Sequence, residues 1–436
     1  MFCKTIWNGI YILPYGDIRL CSIGNNSDAS LDMNTARDEN GVAMNILTHS
    51  IKEIVNSKKH LEVRKLNIDD PTAWSQHCSC CENREMVTKN NVLHPNSSRR
   101  LYLKQVIKSN DIVTESNCTE KASADGNIDW YPSSLDIRFG NLCNQKCVMC
   151  SPIYSKLWYD EYTEYYKTNL FGSGTNNKKI SLVKNNNGQW QQPKEMEWYE
   201  DPRWWPKFKE MMPYLRHIYV TGGEPMIVPS HDTMLDILIE NDLAKNIVLE
   251  YDTNLTVINT KLFHRWKHFN KVLIRVSMDA IKEKYNLIRF GGNWEKFVDN
   301  IEKLKTYEEE SEGRIKIQAI TSCFQISTAL NIVESEEWCN TMKLPFHIRF
   351  LDGPDKHATM SLPISAKEEL IDFYSNHNTE KSKLIVNYLS EHLYSTRGSV
   401  DEIHSFINFM DFLDNSRSTN WRETLSDIHT FLERHK

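Results

Sequence analysis

Among 436 residues only 16 are glycine and 14 are proline, too few for a collagen-like or linker-dominated chain. No apolar run approaches the roughly 20 residues that a membrane-spanning helix needs, so no membrane partner is expected. The start, MFCKTIWNGIYILPYGDIRLC, lacks a basic stretch followed by an apolar block and does not read as a secretory signal. An excess of positive charge is also missing. The 52 Lys and Arg stand against 58 Asp and Glu, a net charge of −6, so the whole chain offers no footprint for nucleic acid or another polyanion. Disorder is excluded by ordinary globular usage, 40% apolar and 25% charged. With no secretory signal, the expected compartment is the reducing cytoplasm, where a disulfide framework is disfavoured.

What the chain does have is cysteine, 11 in all: Cys3, Cys21, Cys78, Cys80, Cys81, Cys118, Cys143, Cys147, Cys150, Cys323 and Cys339. Closely spaced cysteines in such a chain are more often metal or cluster ligands than bridges.

A regular alternation begins at Ser134. Strand-like runs cover 134–139, 217–221, 246–253, 271–279, 314–320 and 346–351, with amphipathic segments between most of them. Strands alternating with helices predict an α/β fold with a mainly parallel sheet, and six such strands fit a partial (β/α)6 TIM-like barrel. The expected organisation is a Cys-rich N-terminal module at 1–100, a polar connector at 101–133, the barrel at 134–362 and a helical region at 363–436 in which no chemistry is visible. An Asn-, Gly- and Gln-rich insertion interrupts the first repeat at about 160–210. Its Trp198, Trp204 and Trp205 either pack the insertion onto the domain or form a substrate lid.

The segment GNLCNQKCVMC places Cys143, Cys147 and Cys150 in a C-x3-C-x2-C spacing directly after the first strand of the barrel. Thiolates on one short loop can share a metal centre, and three without a fourth leave a coordination position open. This triplet resembles that of the radical S-adenosylmethionine (radical SAM) superfamily. The resemblance implies that the three cysteines hold a 4Fe-4S cluster, that SAM completes the fourth iron, and that the reduced cluster cleaves SAM to a 5′-deoxyadenosyl radical.

One strand later comes TGGEP. Gly222 and Gly223 let the backbone approach a ligand closely, and the Glu224 carboxylate can accept from an ammonium group. With Pro225 they match the family motif that holds the SAM amino group. Asn254 in DTNLT matches a polar position facing the cofactor. Ser277 and Asp279 in RVSMDA match a Ser-x-Asp that meets the SAM carboxylate or ribose and lines the pocket. Met149 matches the position beside adenine. Read without the family, the polar residues are equally turn-forming or capping groups, and Met149 is core filling.

Cys3 and Cys21 bracket a segment that reads as a hairpin with a Tyr-Gly-Asp turn, while Cys78 and Cys81 form C-x2-C. This pattern is similar to the twitch/SPASM auxiliary-cluster module, which implies a second 4Fe-4S cluster on Cys3, Cys21, Cys78 and Cys81. Cys80 can replace Cys81, and a four-thiolate zinc site is the rival. Cys118, Cys323 and Cys339 read as core or surface thiols. The resemblance implies hydrogen abstraction from a substrate by an enzyme fed by a donor such as flavodoxin or ferredoxin. A peptide or protein side chain is the first expectation for the substrate. A sugar- or aminocyclitol-type dehydrogenase or epimerase is the second, and a non-catalytic Fe–S or zinc protein the third.

Overall fold

The computed structural model describes residues 4–21, 34–70, 120–174, 178–351, 353–395 and 398–436. Its centre is an eight-stranded sheet. The N-terminal hairpin contributes β1 (Gly9–Ile12) and β2 (Ile18–Arg19). The barrel begins at β3 (Ser134–Arg138). The insertion then supplies two small antiparallel pairs, β4 (Leu170–Gly174) with β5 (Lys178–Ser181), and β6 (Val183–Lys184) with β7 (Trp190–Gln191). The barrel resumes with β8 (His217–Thr221), β9 (Val248–Thr253), β10 (Lys271–Ser277), β11 (Ile315–Phe324) and β12 (Phe346–Phe350).

The six barrel strands, β3 and β8 to β12, are parallel neighbours in chain order, as the alternation predicts. Leu135, Ile137, Ile218, Val220, Leu249 and Ile274 are all fully buried in one apolar core. The alternate residues are polar and bond to one another across strands. Ser134 Oγ meets His217 Nδ1 at 3.0 Å, and His217 Nε2 meets Glu250 at 2.8 Å. Arg275 pairs with Glu250 and, through Nε at 2.6 Å, with Asp252. Asp252 also accepts from Tyr219 and from Arg349 Nη2 at 3.3 Å. A polar sheet face of this kind is affordable only because its buried groups are paired.

Helices cover the other face where their sequence period allows. The helix Trp294–Glu310 buries Trp294, Phe297, Asn300, Ile301 and Leu304, a 3.6-residue stripe, and Asn293 caps it by accepting from Lys296 N at 2.8 Å. The helices Pro229–Glu240 and Ile332–Thr341 also fall where amphipathic segments predict them. After β12 the chain is helical through Ile364–Ser375, Glu380–Glu391, Val400–Arg417 and Ser426–Arg434.

The N-terminal segment departs from the expected hairpin in one respect: Lys4–Asn8 is a short helix, and only then does β1 begin. The turn is closed by Leu13 N donating to Asp17 O at 2.9 Å, with Gly16 at φ +85°. β1 also pairs in parallel with β3, Gly9 opposite Ser134 and Ile12 opposite Ile137, so the hairpin extends the barrel sheet. Cys21 follows β2 and is half-buried. Cys3, Cys78, Cys80, Cys81 and Cys118 lie outside the described residues.

The tryptophans of the insertion pack. Trp198 and Trp204 are buried, and Trp198 Nε1 donates to Pro14 O in the hairpin turn at 3.2 Å while its ring stacks on Phe139. Trp205 is half-buried against the same core. Among the described residues no helix is long and apolar enough to cross a membrane.

Candidate active site

The loop after β3 carries the three cysteines, and two neighbouring segments fix its path. Glu224 N donates to Leu142 O at 2.8 Å, and a Cβ on Gly223 would stand 2.1 Å from that same carbonyl. On the other side Lys146 N donates to Phe290 O at 2.9 Å and Val148 N to Ile288 O at 2.8 Å. A Cβ on Gly291 would stand 2.9 Å from Asn144 O. Gly223 and Gly291 are therefore places where backbone meets backbone.

The loop forms one wall of a cavity of about 320 Å³ at the carboxyl ends of the barrel strands, where ligands bind in parallel α/β folds. Cys143, Cys147, Cys150 and Met149 line it from the loop, and Gly222 and Gly223 from the end of β8. Asn254, Ser277 and Asp279 line it from the ends of β9 and β10. Nine of the residues singled out in the sequence thus converge on one space.

Glu224 and Pro225 do not line it. Both are buried, and the Glu224 carboxylate accepts three bonds: from Met226 N at 3.1 Å, Thr253 Oγ1 at 2.7 Å and Asn254 N at 2.7 Å. It ties the turn after β8 to the end of β9. Burial pushes its pKa up, and the bonds from Asn254, Thr253 and Met226 act against that rise.

The pocket also holds groups that no motif announces. Arg289 Nη2 pairs with Asp279 at 2.7 Å, and its Nη1 lies 3.9 Å from Cys147 Sγ. The second oxygen of Asp279 accepts from Cys323 N at 2.7 Å, which draws β10 and β11 together; Asp279 itself sits at φ +69°. Asp252 and Arg349 line the cavity as well. Burial pushes the Asp252 carboxyl up, but Arg275 and Arg349 win and hold it at about 2. Asn254 Nδ2 lies 3.0 Å from Asn144 Oδ1 and 3.9 Å from Cys143 Sγ.

Burial raises all three thiols, Cys143 to about 12, and neighbouring thiols raise Cys143 and Cys150 further. Without a metal they are neutral, so loading one releases protons. Among the described residues no group of three or more His, Cys, Asp or Glu is arranged around a single ion. Three thiols lining one wall of the cavity suit a cluster that offers each thiolate its own iron. The donor set therefore fits a three-cysteine 4Fe-4S cluster.

The radical SAM superfamily model matches residues 137–308, and the SPASM iron-sulfur cluster-binding domain model matches residues 3–82. These two domains imply a SAM-binding 4Fe-4S cluster and an auxiliary iron-sulfur cluster. No curated protein matches the chain. Solved structures similar to it include a tagged anSMEcpe with bound AdoMet, at 17% identity over 56% of this chain and 57% of that one, with a TM-score of 0.34. Native anSMEcpe with bound AdoMet and Cp18Cys peptide is 16% identical over 63% and 66%, with a TM-score of 0.32. Streptococcus suis SuiB bound to precursor peptide SuiA is 13% identical over 78% and 67%, with a TM-score of 0.35. The chain thus spans less than two thirds of the length of the first of these.

Proposed function

Because the chain belongs to the radical SAM superfamily and carries a SPASM segment at its N-terminus, we propose that it cleaves SAM reductively and abstracts hydrogen from a peptide or protein side chain. The observation that carries this reading is the convergence of Cys143, Cys147, Cys150, the Gly222–Gly223 turn, Asn254, Ser277 and Asp279 on one cavity. The cluster, when bound, supplies the electron that breaks a carbon–sulfur bond of SAM.

The chain's own residues bind and orient. Cys143, Cys147 and Cys150 are the cluster ligands. The bare backbone at Gly222 and Gly223 admits the amino-acid end of SAM. Ser277 and Asn254 offer hydrogen bonds from the opposite wall, and Met149 offers an apolar surface for adenine. Asp279 is held by Arg289 and fixes the far side of the cavity. Glu224, from behind the wall, positions Asn254. Cys3, Cys21, Cys78 and either Cys80 or Cys81 are the ligands of the auxiliary cluster. That segment favours a peptide substrate, since family members with such modules mostly modify peptides or protein side chains.

The test is anaerobic reconstitution followed by SAM and dithionite. The wild type should form 5′-deoxyadenosine, and the Cys143→Ala/Cys147→Ala/Cys150→Ala variant should form none. SAM cleavage by the triple variant would overturn the assignment. Turnover stimulated by a peptide mixture supports the peptide reading; stimulation by sugars or aminocyclitols alone replaces it with the small-molecule one.

A further inference from the structure

The C-terminal helical region reaches the cysteine loop through one buried charge cluster. Arg417 ends the helix Val400–Arg417, and its side chain is 1% exposed. It donates to Glu161 of the insertion through Nε at 3.0 Å and Nη2 at 2.7 Å. Glu161 in turn accepts from Lys146 Nζ at 2.5 Å and from Ser416 Oγ at 3.1 Å. Lys146 stands beside Cys147 in the cysteine loop. The guanidinium lies against two rings, 4.9 Å from the Trp158 centroid and 4.8 Å from that of Phe290, the residue whose carbonyl takes the Lys146 amide. Arg417 Nη1 is buried with no hydrogen-bond partner among the described residues.

Two cations thus face one carboxylate, which leaves an uncompensated positive charge next to the loop. Among the described residues both cations are paired with Glu161 alone, so the charge cluster as a whole is positive and suits an anionic group on the loop.

We infer that Arg417 is a positioning residue for the cysteine loop, and that its charge holds the reduction potential of the bound cluster up. The inference rests on the cluster assignment above. Reduction adds negative charge to the cluster, so a nearby cation stabilises the reduced form and a nearby anion destabilises it.

Three variants test it: Arg417→Gln, Arg417→Lys and the near-isosteric Glu161→Gln, with the midpoint potential followed by spectroscopic titration and iron loss followed under chelator. Arg417→Gln should lower the potential and lose iron about 10-fold faster, the usual effect of removing an outer partner of a metal site. Glu161→Gln should raise the potential. Arg417→Lys should keep the potential near wild type while losing iron faster than wild type, because the charge stays and the planar stack goes. General loosening of the fold would move both charge-removing variants the same way. Shifts in one direction, or none, overturn the inference. If Arg417→Gln does not fold, Glu161→Gln decides alone, and an unchanged or lowered potential overturns it. A wild type that binds no SAM-responsive cluster is a different result and removes the cluster assignment itself.

Discussion

Arg289 and Asp279 pair at 2.7 Å inside the cavity, and the same guanidinium lies 3.9 Å from Cys147. Each is held by the other, since burial alone would disfavour both charges. Arg289→Met should leave Asp279 without its buried cation, holding only the Cys323 amide. The expected cost is about 3–5 kcal/mol, measured by urea unfolding of the metal-free chain. A loss below the error of that experiment would mean that the Cys323 amide alone sustains Asp279.

Gly223→Ala directs a methyl group at a backbone carbonyl, Leu142 O, 2.1 Å away. Backbone cannot rotate aside as a side chain can, so the cysteine loop must shift. Overpacking of this kind costs about 1–3 kcal/mol, and iron uptake at the triplet should fall with it. Thermal unfolding and iron analysis read the two effects separately.

The chain should be acid-sensitive well above the carboxylate range. Burial first, with neighbouring cations second, depresses His231 to about 3, His347 to about 4 and His357 to about 3. Each imidazole is neutral when folded and protonates near pH 6.5 once unfolded. The stability they contribute is therefore present above about pH 6.5 and is lost as pH falls towards 4 or 3. Between pH 6.5 and 5 the loss should be about 2 kcal/mol for each ring. Buried His60 is depressed in the same way, so urea unfolding across that interval should show a slope that approaches four protons towards pH 5, and His231→Phe should reduce it by about one.

Trp198 joins three parts of the molecule: the insertion that carries it, Phe139 at the end of β3, and the Pro14 carbonyl of the hairpin turn. Trp198→Ala should cost about 3–5 kcal/mol. Trp198→Phe keeps the ring but loses the hydrogen bond and should cost nearer 1 kcal/mol. Faster amide exchange over residues 9–19 in the alanine variant, with the phenylalanine variant protected, would identify the hairpin as what is released.

Iron analysis separates the two metal centres. With two 4Fe-4S clusters the wild type should hold about eight iron atoms per chain, and the triplet-alanine variant about half. A variant that keeps about one zinc and no iron would place a four-thiolate zinc site at the N-terminal cysteines instead.

The barrel was legible because its strands are short, apolar on alternate positions and separated by helical stripes. The run HIYVT became β8 without a shift at either end, and the amphipathic stretch at 293–310 became one capped helix. The cavity was legible where function sits in a motif, as at Cys143 or Gly223. It was not legible at Arg289, Asp252 or Arg349, which are single charged residues on ordinary elements. Their meaning depends on partners far away in sequence. The pair of glycines at 291–292 carried the one available hint, since paired glycines signal close backbone approach. The helical turn Lys4–Asn8 was hidden by the alternation that follows it. The role of Glu224 as a clamp behind the wall was hidden because a motif gives a residue's neighbourhood and not the direction of its carboxylate.

The pairing of β1 with β3 has a consequence for the order of assembly. Gly9 and Ser134 are opposite one another yet about 125 residues apart in sequence. During synthesis β1 and β2 therefore leave the ribosome long before the strand that flanks them, and a two-stranded hairpin is marginal in water on its own. Contacts of such separation form late because loop closure must come first. The segment bearing Cys21 is thus made before the barrel's opening strand and completes its pairing only after it.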